Sequence, residues 1–163
     1  MLDAETLALA RQVIEANRAA GRRVAVAESC TGGLVSAALT AIPGSSDVFD
    51  RGFVTYSNEA KQEMLGVSPD ILDAVGAVSE GTAWAMAQGA IARSRADIAV
   101  AISGIAGPGG GSEKKPVGMV VFARAIRGGG EAASSAATEI FGDLGRDEIR
   151  RQATLVALRL LLP

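Results

Sequence analysis

The chain has 163 residues, of which 48% are hydrophobic and only 4% are aromatic. This length predicts a single domain over residues 1–163, with an aliphatic, alanine-rich core. The net charge of −2 and the lack of a basic run argue against a nucleic-acid partner, and the absence of histidine excludes Ser-His and Cys-His nucleophile pairs and histidine metal ligands.

The first residues form a charged, helix-like segment without the apolar region of a signal peptide, and no apolar run reaches the ~18 residues of a membrane span. The single cysteine, Cys30, cannot form an internal disulfide and fits a reducing compartment. We therefore expect a cytoplasmic protein with no membrane partner.

The first half of the chain predicts helices that alternate with two strands. Apolar residues from Leu2 to Ala16 recur at helical spacing, and Gly21 ends that helix. A strand is predicted over residues 24–27, a helix over 31–41, a strand over 49–56 with a bulge at Gly52, and short helices over 60–65 and 69–74.

The second half predicts a longer helix after Ser79, in which Gly81, Ala85 and Gly89 permit close packing against a neighbour. The run 98–102 predicts a second central strand, and the glycine-rich segment 104–116 is long enough to suggest a functional loop. Strands over 117–126 and 132–141, joined by a glycine turn, precede an amphipathic helix that ends the chain.

Polar residues follow directly on the apolar run 24–27, in the order Glu28, Ser29, Cys30, Thr31, Gly32 and Gly33. Ligands of open α/β sheets bind where strands end, and glycines at the start of a helix let a ligand approach the backbone amides. The segment is equally typical of a plain strand-to-helix turn with a serine or threonine N-cap.

Lys61 is the one lysine outside the loop that holds Lys114 and Lys115. A cation in the first turns of a helix is disfavoured by the helix dipole, so the pKa of Lys61 should be lowered, as a general base requires. The position is equally typical of a solvated lysine on the protein surface. Ser46 can approach it by a fold-back, Ser29 can face the same cleft, and Tyr56 can relay a proton or serve only in packing.

The glycine-rich segments 32–33 and 104–111 can supply backbone N–H groups for a phosphate or an oxyanion. Neither matches a Walker A loop or the dinucleotide fingerprint. The acidic residues are scattered, so we expect no metal and no cofactor.

Five ordered motifs carry a resemblance over essentially the whole chain: 27–33 (AESCTGG), 52–61 (GFVTYSNEAK), 77–80 (AVSE), 103–108 (SGIAGP) and 115–118 (KPVG). Together they resemble the CinA C-terminal domain family, in its short form that acts as a nicotinamide-nucleotide amidase. The resemblance implies an α/β fold, a three-layer α/β/α sandwich with a mixed sheet, and hydrolysis of nicotinamide mononucleotide to nicotinate mononucleotide and ammonia.

The family's catalytic serine, tyrosine and lysine carry over to Ser46, Tyr56 and Lys61, with Ser29 as the second choice of nucleophile. Family members read Gly-Asp-Arg before the last helix, whereas Leu144 and Gly145 separate the corresponding residues here, which leaves two arginines as alternative phosphate ligands. The expected substrate-binding residues are Glu28, Ser29, Thr31, Gly32, Gly33, Ser103, Gly104, Gly107, Arg146 and Arg150. We also expect a homo-oligomer, and the rival function is a non-catalytic nucleotide-binding or interaction module linked to competence or DNA damage.

Overall fold

The computed structural model describes residues 2–163, which contain six α-helices and five β-strands. In chain order these are α1 (Ala4–Ala19), β1 (Val24–Glu28), α2 (Leu34–Thr40), β2 (Phe49–Val54), α3 (Asn58–Leu65), α4 (Pro69–Val75), α5 (Glu80–Ala92), β3 (Ile98–Gly104), β4 (Met119–Ile126), β5 (Ser135–Ile140) and α6 (Arg146–Leu160). Short 3-10 helices lie at Ser45–Asp47 and Glu131–Ala133.

The five strands form one mixed sheet in the order β2-β1-β3-β4-β5. β1 is parallel to its neighbours β2 and β3, whereas β4 runs antiparallel to β3 and β5. The two central parallel strands are buried on both faces, which explains why their sequences are continuous apolar runs rather than alternating ones.

Helices cover both faces of the sheet, each over its own apolar core. Larger side chains such as Val26 and Ile98 face α1, α2 and α6, while alanines such as Ala25 and Ala99 face the layer of α3, α4 and α5. The predicted three-layer α/β/α sandwich with a mixed sheet is therefore confirmed.

The close packing expected along α5 occurs at Gly89. A Cβ atom built there would lie 2.1 Å from the backbone oxygen of Leu65, so α3 and α5 touch through their backbones. Gly81, two turns earlier, has no neighbour closer than 3.7 Å, so only part of the glycine and alanine stripe is a contact.

The predicted start of α2 and the predicted irregularity in β2 were wrong. Helix α2 begins at Leu34 rather than residue 31, because Gly32 and Gly33 adopt φ values of 60° and 102° that no right-handed helix contains. Gly52 pairs regularly with Val26, and the irregularity in β2 lies between Phe49 and Arg51. A Cβ on Gly52 would lie 2.2 Å from the hydroxyl oxygen of Ser36, so this glycine makes room for α2.

The sheet has two chemically different edges. At the amino ends of the parallel strands, the side chain of Asp50 is only 2% exposed and forms ion pairs with Arg23, Arg51 and Arg95. Burial opposes its ionisation, but hydrogen bonds from the Arg95 N–H and the Arg51 side chain prevail and lower the pKa of Asp50. The carboxyl ends of the parallel strands lie at the opposite edge, and a cavity opens there.

Within residues 2–163, none of the helices combines the length and the apolar character needed to cross a membrane.

Candidate active site

A cavity of about 240 Å³ opens at the carboxyl ends of the parallel strands. Residues from the ends of β1, β2 and β3, from α3, and from the first position of α6 surround it. Its lining consists of Ser29, Cys30, Tyr56, Asn58, Lys61, Ala77, Val78, Ser103, Gly104, Ala106 and Arg146. The strand ends therefore bring together three of the motifs that the sequence singles out, those at 27–33, 52–61 and 103–108.

Lys61 is among the largest fully buried side chains, with only 1% of its surface exposed. It lies one turn into α3, and its Nζ is 2.8 Å from the Thr55 carbonyl oxygen and 3.2 Å from Ser29 Oγ. Both partners are uncharged, and burial lowers the pKa of the Lys61 ammonium below its ordinary value. A neutral amine in this position donates one N–H to the carbonyl and has its lone pair free for the serine hydroxyl proton.

Ser29 is the first residue after β1, and its amide donates to the Ile102 carbonyl of β3 at 2.9 Å. Its side chain therefore leaves the end of a central strand at a fixed point. Among the serines considered from sequence, the structure places this one, the second choice, in hydrogen-bond contact with Lys61.

The expected approach of Ser46 to Lys61 does not occur. Ser46 is exposed and lies in the 3-10 helix Ser45–Asp47, immediately before β2, whereas Lys61 follows the far end of that strand. A six-residue strand extends roughly 20 Å, so the two side chains lie at opposite edges of the sheet.

Tyr56 is 60% exposed at the cavity mouth, and its hydroxyl oxygen accepts a hydrogen bond from Arg146 Nη2 at 2.9 Å. The tyrosine hydroxyl hydrogen remains available to a ligand. Arg146 also donates from Nη1 to the Gly107 carbonyl oxygen at 2.8 Å, and so links α6 to the long loop after β3. The structure thus brings Tyr56, Gly107 and Arg146 together.

The backbone N–H groups that follow β1, which were expected to bind a phosphate or an oxyanion, are hydrogen-bonded within the protein. The fully buried Glu28 carboxylate accepts hydrogen bonds from the Thr31 hydroxyl, the amides of Gly33, Val35 and Ser36, and the Ser36 hydroxyl, at 2.7–3.1 Å. The remaining glycine amide of this pair, that of Gly32, donates to the Ser29 carbonyl. Glu28 therefore caps α2, and these amides are not free for a phosphate or an oxyanion.

Arg150 follows Arg146 by four residues on α6 and contacts the chain turn that follows β1. Its Nε donates to the Cys30 carbonyl oxygen and its Nη2 to the Thr31 carbonyl oxygen, both at 3.1 Å. Arg146 lines the small cavity and Arg150 does not, although both border a neighbouring groove of about 790 Å³ beside α1 and α6.

A model of the CinA C-terminal domain matches residues 6–163 of this sequence. The chain belongs to this family. It is 54% identical to the nicotinamide-nucleotide amidohydrolase PncC of Escherichia coli, over 99% of this chain and 95% of the relative. It is 55% identical to a CinA-like protein of Mycolicibacterium paratuberculosis over 142 residues, which are 87% of this chain and 33% of that protein.

Family members of known structure share the fold. The crystal structure of the competence/damage inducible protein CihA from Agrobacterium tumefaciens superposes with a TM-score of 0.94 at 50% identity, covering 99% of this chain and 96% of that one. A CinA superfamily protein from Escherichia coli superposes with a TM-score of 0.89 at 36% identity, covering 99% and 91% of the two chains. The resemblance stated from the motifs is therefore confirmed.

Two of the family motifs contribute cavity residues that the sequence reasoning left without a role. Ala77 and Val78 form part of the wall, and the Ala77 carbonyl oxygen accepts the Ser103 hydroxyl at 2.8 Å, so this serine is engaged with the protein. Asn58 lies three residues before Lys61 on α3, and this spacing on one helix face is the signal that identifies it as a neighbour of the lysine.

Cys30 borders the cavity but is only 6% exposed. Burial raises the pKa of its thiol to about 11, so the reactive thiolate is scarce at neutral pH. This environment favours the role of a small buried filler for Cys30 over that of a nucleophile.

Proposed function

We propose that the chain is a nicotinamide-nucleotide amidohydrolase, which converts nicotinamide mononucleotide to nicotinate mononucleotide and ammonia. The observation that carries the proposal is the hydrogen-bond contact between Ser29 and Lys61, a buried lysine whose two partners are both uncharged. The chain that contains this contact is 54% identical to the Escherichia coli enzyme PncC. A serine and a neutral lysine within hydrogen-bond reach form a nucleophile and its general base without histidine.

In the first half of the reaction, Ser29 Oγ attacks the carboxamide carbon while its proton passes to Lys61 Nζ. The Thr55 carbonyl holds one N–H of the amine, which directs the lone pair toward the serine. The tetrahedral intermediate then breaks its C–N bond, and Lys61 returns the proton to the departing nitrogen, so that ammonia leaves and a serine ester remains.

In the second half, water attacks the ester carbon and gives a proton to Lys61, which passes it to Ser29 Oγ as the ester bond breaks. Nicotinate mononucleotide leaves and the serine is regenerated. The Tyr56 hydroxyl, whose oxygen is bound to Arg146, is the donor we assign to the oxyanion, because the amides of Gly32 and Gly33 are engaged elsewhere.

We assign the substrate phosphate to Arg146 and the first turn of α6. This helix has no side-chain cap at Gly145, so its first amides are available to an anion, whereas Glu28 already caps α2. The small cavity then holds the carboxamide end, and the ribose phosphate extends past Arg146 toward the larger groove.

Ammonia release from nicotinamide mononucleotide tests the proposal in four single variants. Ser29→Ala and Lys61→Met are each expected to lower kcat by at least 1,000-fold, in the range found for members of a catalytic unit. Lys114→Met, at an exposed loop position, is the matched lysine control and retains the wild-type rate. Full activity of Ser29→Ala together with loss of activity in Ser46→Ala would return the nucleophile role to Ser46.

The rival function, a non-catalytic nucleotide-binding or interaction module, predicts binding of the mononucleotide without ammonia release. Burying a lysine amine against a serine carries a desolvation cost that such a module does not require. A calorimetric titration with the mononucleotide beside the ammonia assay separates the two functions.

We further propose that the chain acts as one domain in the cytoplasm and self-associates. Large exposed hydrophobic side chains at Val54, Tyr56, Val75, Ile140 and Leu144 support the last point, because they gather around the edge of the sheet that carries the cavity. Light scattering of the purified protein tests it, and a monomer at all concentrations would refute it.

A further inference from the structure

The turn that carries Ser29 is held by two charged side chains that do not reach the cavity. From the protein interior, the Glu28 carboxylate accepts five hydrogen bonds from residues 31–36 and ties the turn to the start of α2. From α6, the Arg150 guanidinium donates to two consecutive carbonyls of the turn, those of Cys30 and Thr31. The backbone that directly follows Ser29 is therefore fixed on two sides.

Neither charge has the freedom that a substrate ligand needs. Glu28 is completely buried and is absent from the cavity lining. Arg150 borders the larger groove but not the small cavity, and it donates from Nε and Nη2 to the turn. A Cβ built on Gly32 would lie 3.4 Å from Arg150 Nη2, so the guanidinium packs closely against this backbone. Arg146 also donates from two nitrogens, but it is exposed and lines the small cavity, so the difference between the two arginines is access to the cavity.

Fixation of this kind matters for a serine nucleophile. Ser29 Oγ lies 3.2 Å from Lys61 Nζ, and its lysine partner is itself held by the Thr55 carbonyl. A displacement of the serine by about 1 Å can cost as much as 100-fold in rate. Hydrogen bonds to charged groups are stronger than neutral ones, which suits them to hold a turn against such displacement.

We infer that Glu28 and Arg150 are positioning residues, a clamp that holds the Ser29 turn in register with Lys61, rather than ligands of the substrate. The inference rests on the proposed role of Ser29 as the nucleophile. It assigns two of the arginines of α6 to different tasks: Arg146 to the phosphate of the substrate and Arg150 to the geometry of the nucleophile.

The experiment measures the nucleophile directly, by the rate at which a fluorophosphonate probe labels Ser29. In this reaction the Ser29 Oγ–P bond forms, the P–F bond breaks, fluoride leaves, and the serine proton passes to Lys61. We expect labelling of the wild type at Ser29, identified by peptide mass spectrometry, and none in Ser29→Ala. Absence of labelling at Ser29 in the wild type overturns the inference.

Arg150→Gln is expected to slow labelling by roughly 10- to 100-fold. Arg159→Gln, an exposed arginine later on the same helix, serves as the control and leaves the labelling rate unchanged. Thermal unfolding identifies any loss of the fold. If Arg150→Gln does not fold, Arg150→Lys keeps the charge but lacks the planar fork that spans two carbonyls, and it is expected to show the same direction of change.

Steady-state kinetics on nicotinamide mononucleotide supply the second readout. A positioning role lowers kcat of Arg150→Gln and leaves KM within about twofold, whereas a phosphate ligand raises KM about tenfold or more. Raised KM with unchanged labelling would overturn the clamp. If the wild type is labelled at Ser29 but releases no ammonia, the proposed substrate is wrong, and the labelling rates of the variants still decide whether the clamp exists.

A milder change tests the Glu28 side. Thr31→Val is nearly isosteric and removes one of the five hydrogen bonds to the carboxylate. We expect a fall of a few-fold in labelling with an unchanged labelling site. An unaltered rate in both Thr31→Val and Arg150→Gln would show that the turn needs no clamp.

Discussion

Replacing Lys61 by methionine is expected to change the pH dependence of stability as well as to abolish activity. Because burial lowers the pKa of Lys61 in the folded protein, the unfolded chain binds more protons between that pKa and the unfolded value of about 10.4. The free energy of unfolding of the wild type therefore gains a contribution that rises with pH across this window, by up to about 1.4 kcal/mol for each pH unit. Methionine cannot contribute in this way.

The size of the difference between the two proteins follows from the contacts. The variant loses the hydrogen bonds of Lys61 to the Thr55 carbonyl and to Ser29, each worth about 1 kcal/mol, at every pH. Near pH 10 the wild type is therefore the more stable protein. Toward pH 7 the cost of keeping a buried amine neutral grows, so the difference shrinks or reverses.

Urea denaturation of the wild type and Lys61→Met at pH 7, 8, 9 and 10 measures this effect. The Cys30 thiol, whose pKa is about 11 in the folded protein, works in the opposite direction above its unfolded pKa. Both proteins retain this thiol, and its charge interaction with Lys61 is the smallest of the causes that shift its pKa, so most of its contribution cancels in the difference. Lys114→Met, at an exposed position, is expected to differ from the wild type by a constant amount. A constant difference for Lys61→Met as well would show that the buried lysine keeps an ordinary pKa and would refute the assignment of a neutral base.

Three further predictions concern stability and reactivity. Asp50→Asn removes a buried charge shared by three partly exposed arginines, and we expect a loss of about 1–3 kcal/mol at pH 7 in urea denaturation; this loss disappears as the pH falls below about 4, through the lowered pKa of the wild-type carboxyl. Gly89→Ala drives a Cβ into the Leu65 carbonyl and is expected to lower the free energy of unfolding by about 1–3 kcal/mol. Gly81→Ala on the same helix places its Cβ in ordinary contact with Val75 at 3.7 Å, and it is expected to be neutral or to stabilise by up to about 1 kcal/mol; equal effects of the two substitutions would contradict the packing. Native Cys30 is expected to resist iodoacetamide at pH 8 and to react once urea unfolds the chain, and rapid alkylation of the folded protein would contradict its burial.

The layer architecture was accessible from the sequence because the signals for it are local. The runs at 24–27 and 98–102 are too apolar for strands with one wet face, and the amphipathic helices between them must cover a sheet. The start of α2 was misplaced because Gly32 and Gly33 resemble helix-opening residues, while their positive φ values make them part of the preceding turn. That conformation depends on the Glu28 carboxylate, whose partners lie as far along the chain as Ser36.

Lys61 was recognisable in the sequence because it is the one lysine outside the loop of Lys114 and Lys115. The roles of Glu28 and Arg150 could not be predicted in the same way. A carboxylate beside glycines and an arginine near a helix start are typical of substrate ligands, and only the folded chain shows that their polar atoms are engaged with the backbone. A polar residue next to a site can either bind the ligand or hold the backbone of the site in its conformation. Which task a residue performs depends on partners distant in sequence, and the spacing of motifs carries no information about them.

The choice between Ser29 and Ser46 depends on the register of two strands. In the parallel pair of β1 and β2, Glu28 lies opposite Val54, and the Thr55 amide donates to the Glu28 carbonyl at 2.8 Å. The residues that follow the two strands are thereby placed side by side, and α3, which starts three residues after Thr55, brings Lys61 back over them. Proximity along the chain favours Ser46, because only one strand separates it from the lysine. A strand, however, separates its ends in space, while parallel pairing joins the carboxyl ends of segments far apart in sequence, and for this reason the more distant serine is the one that Lys61 contacts.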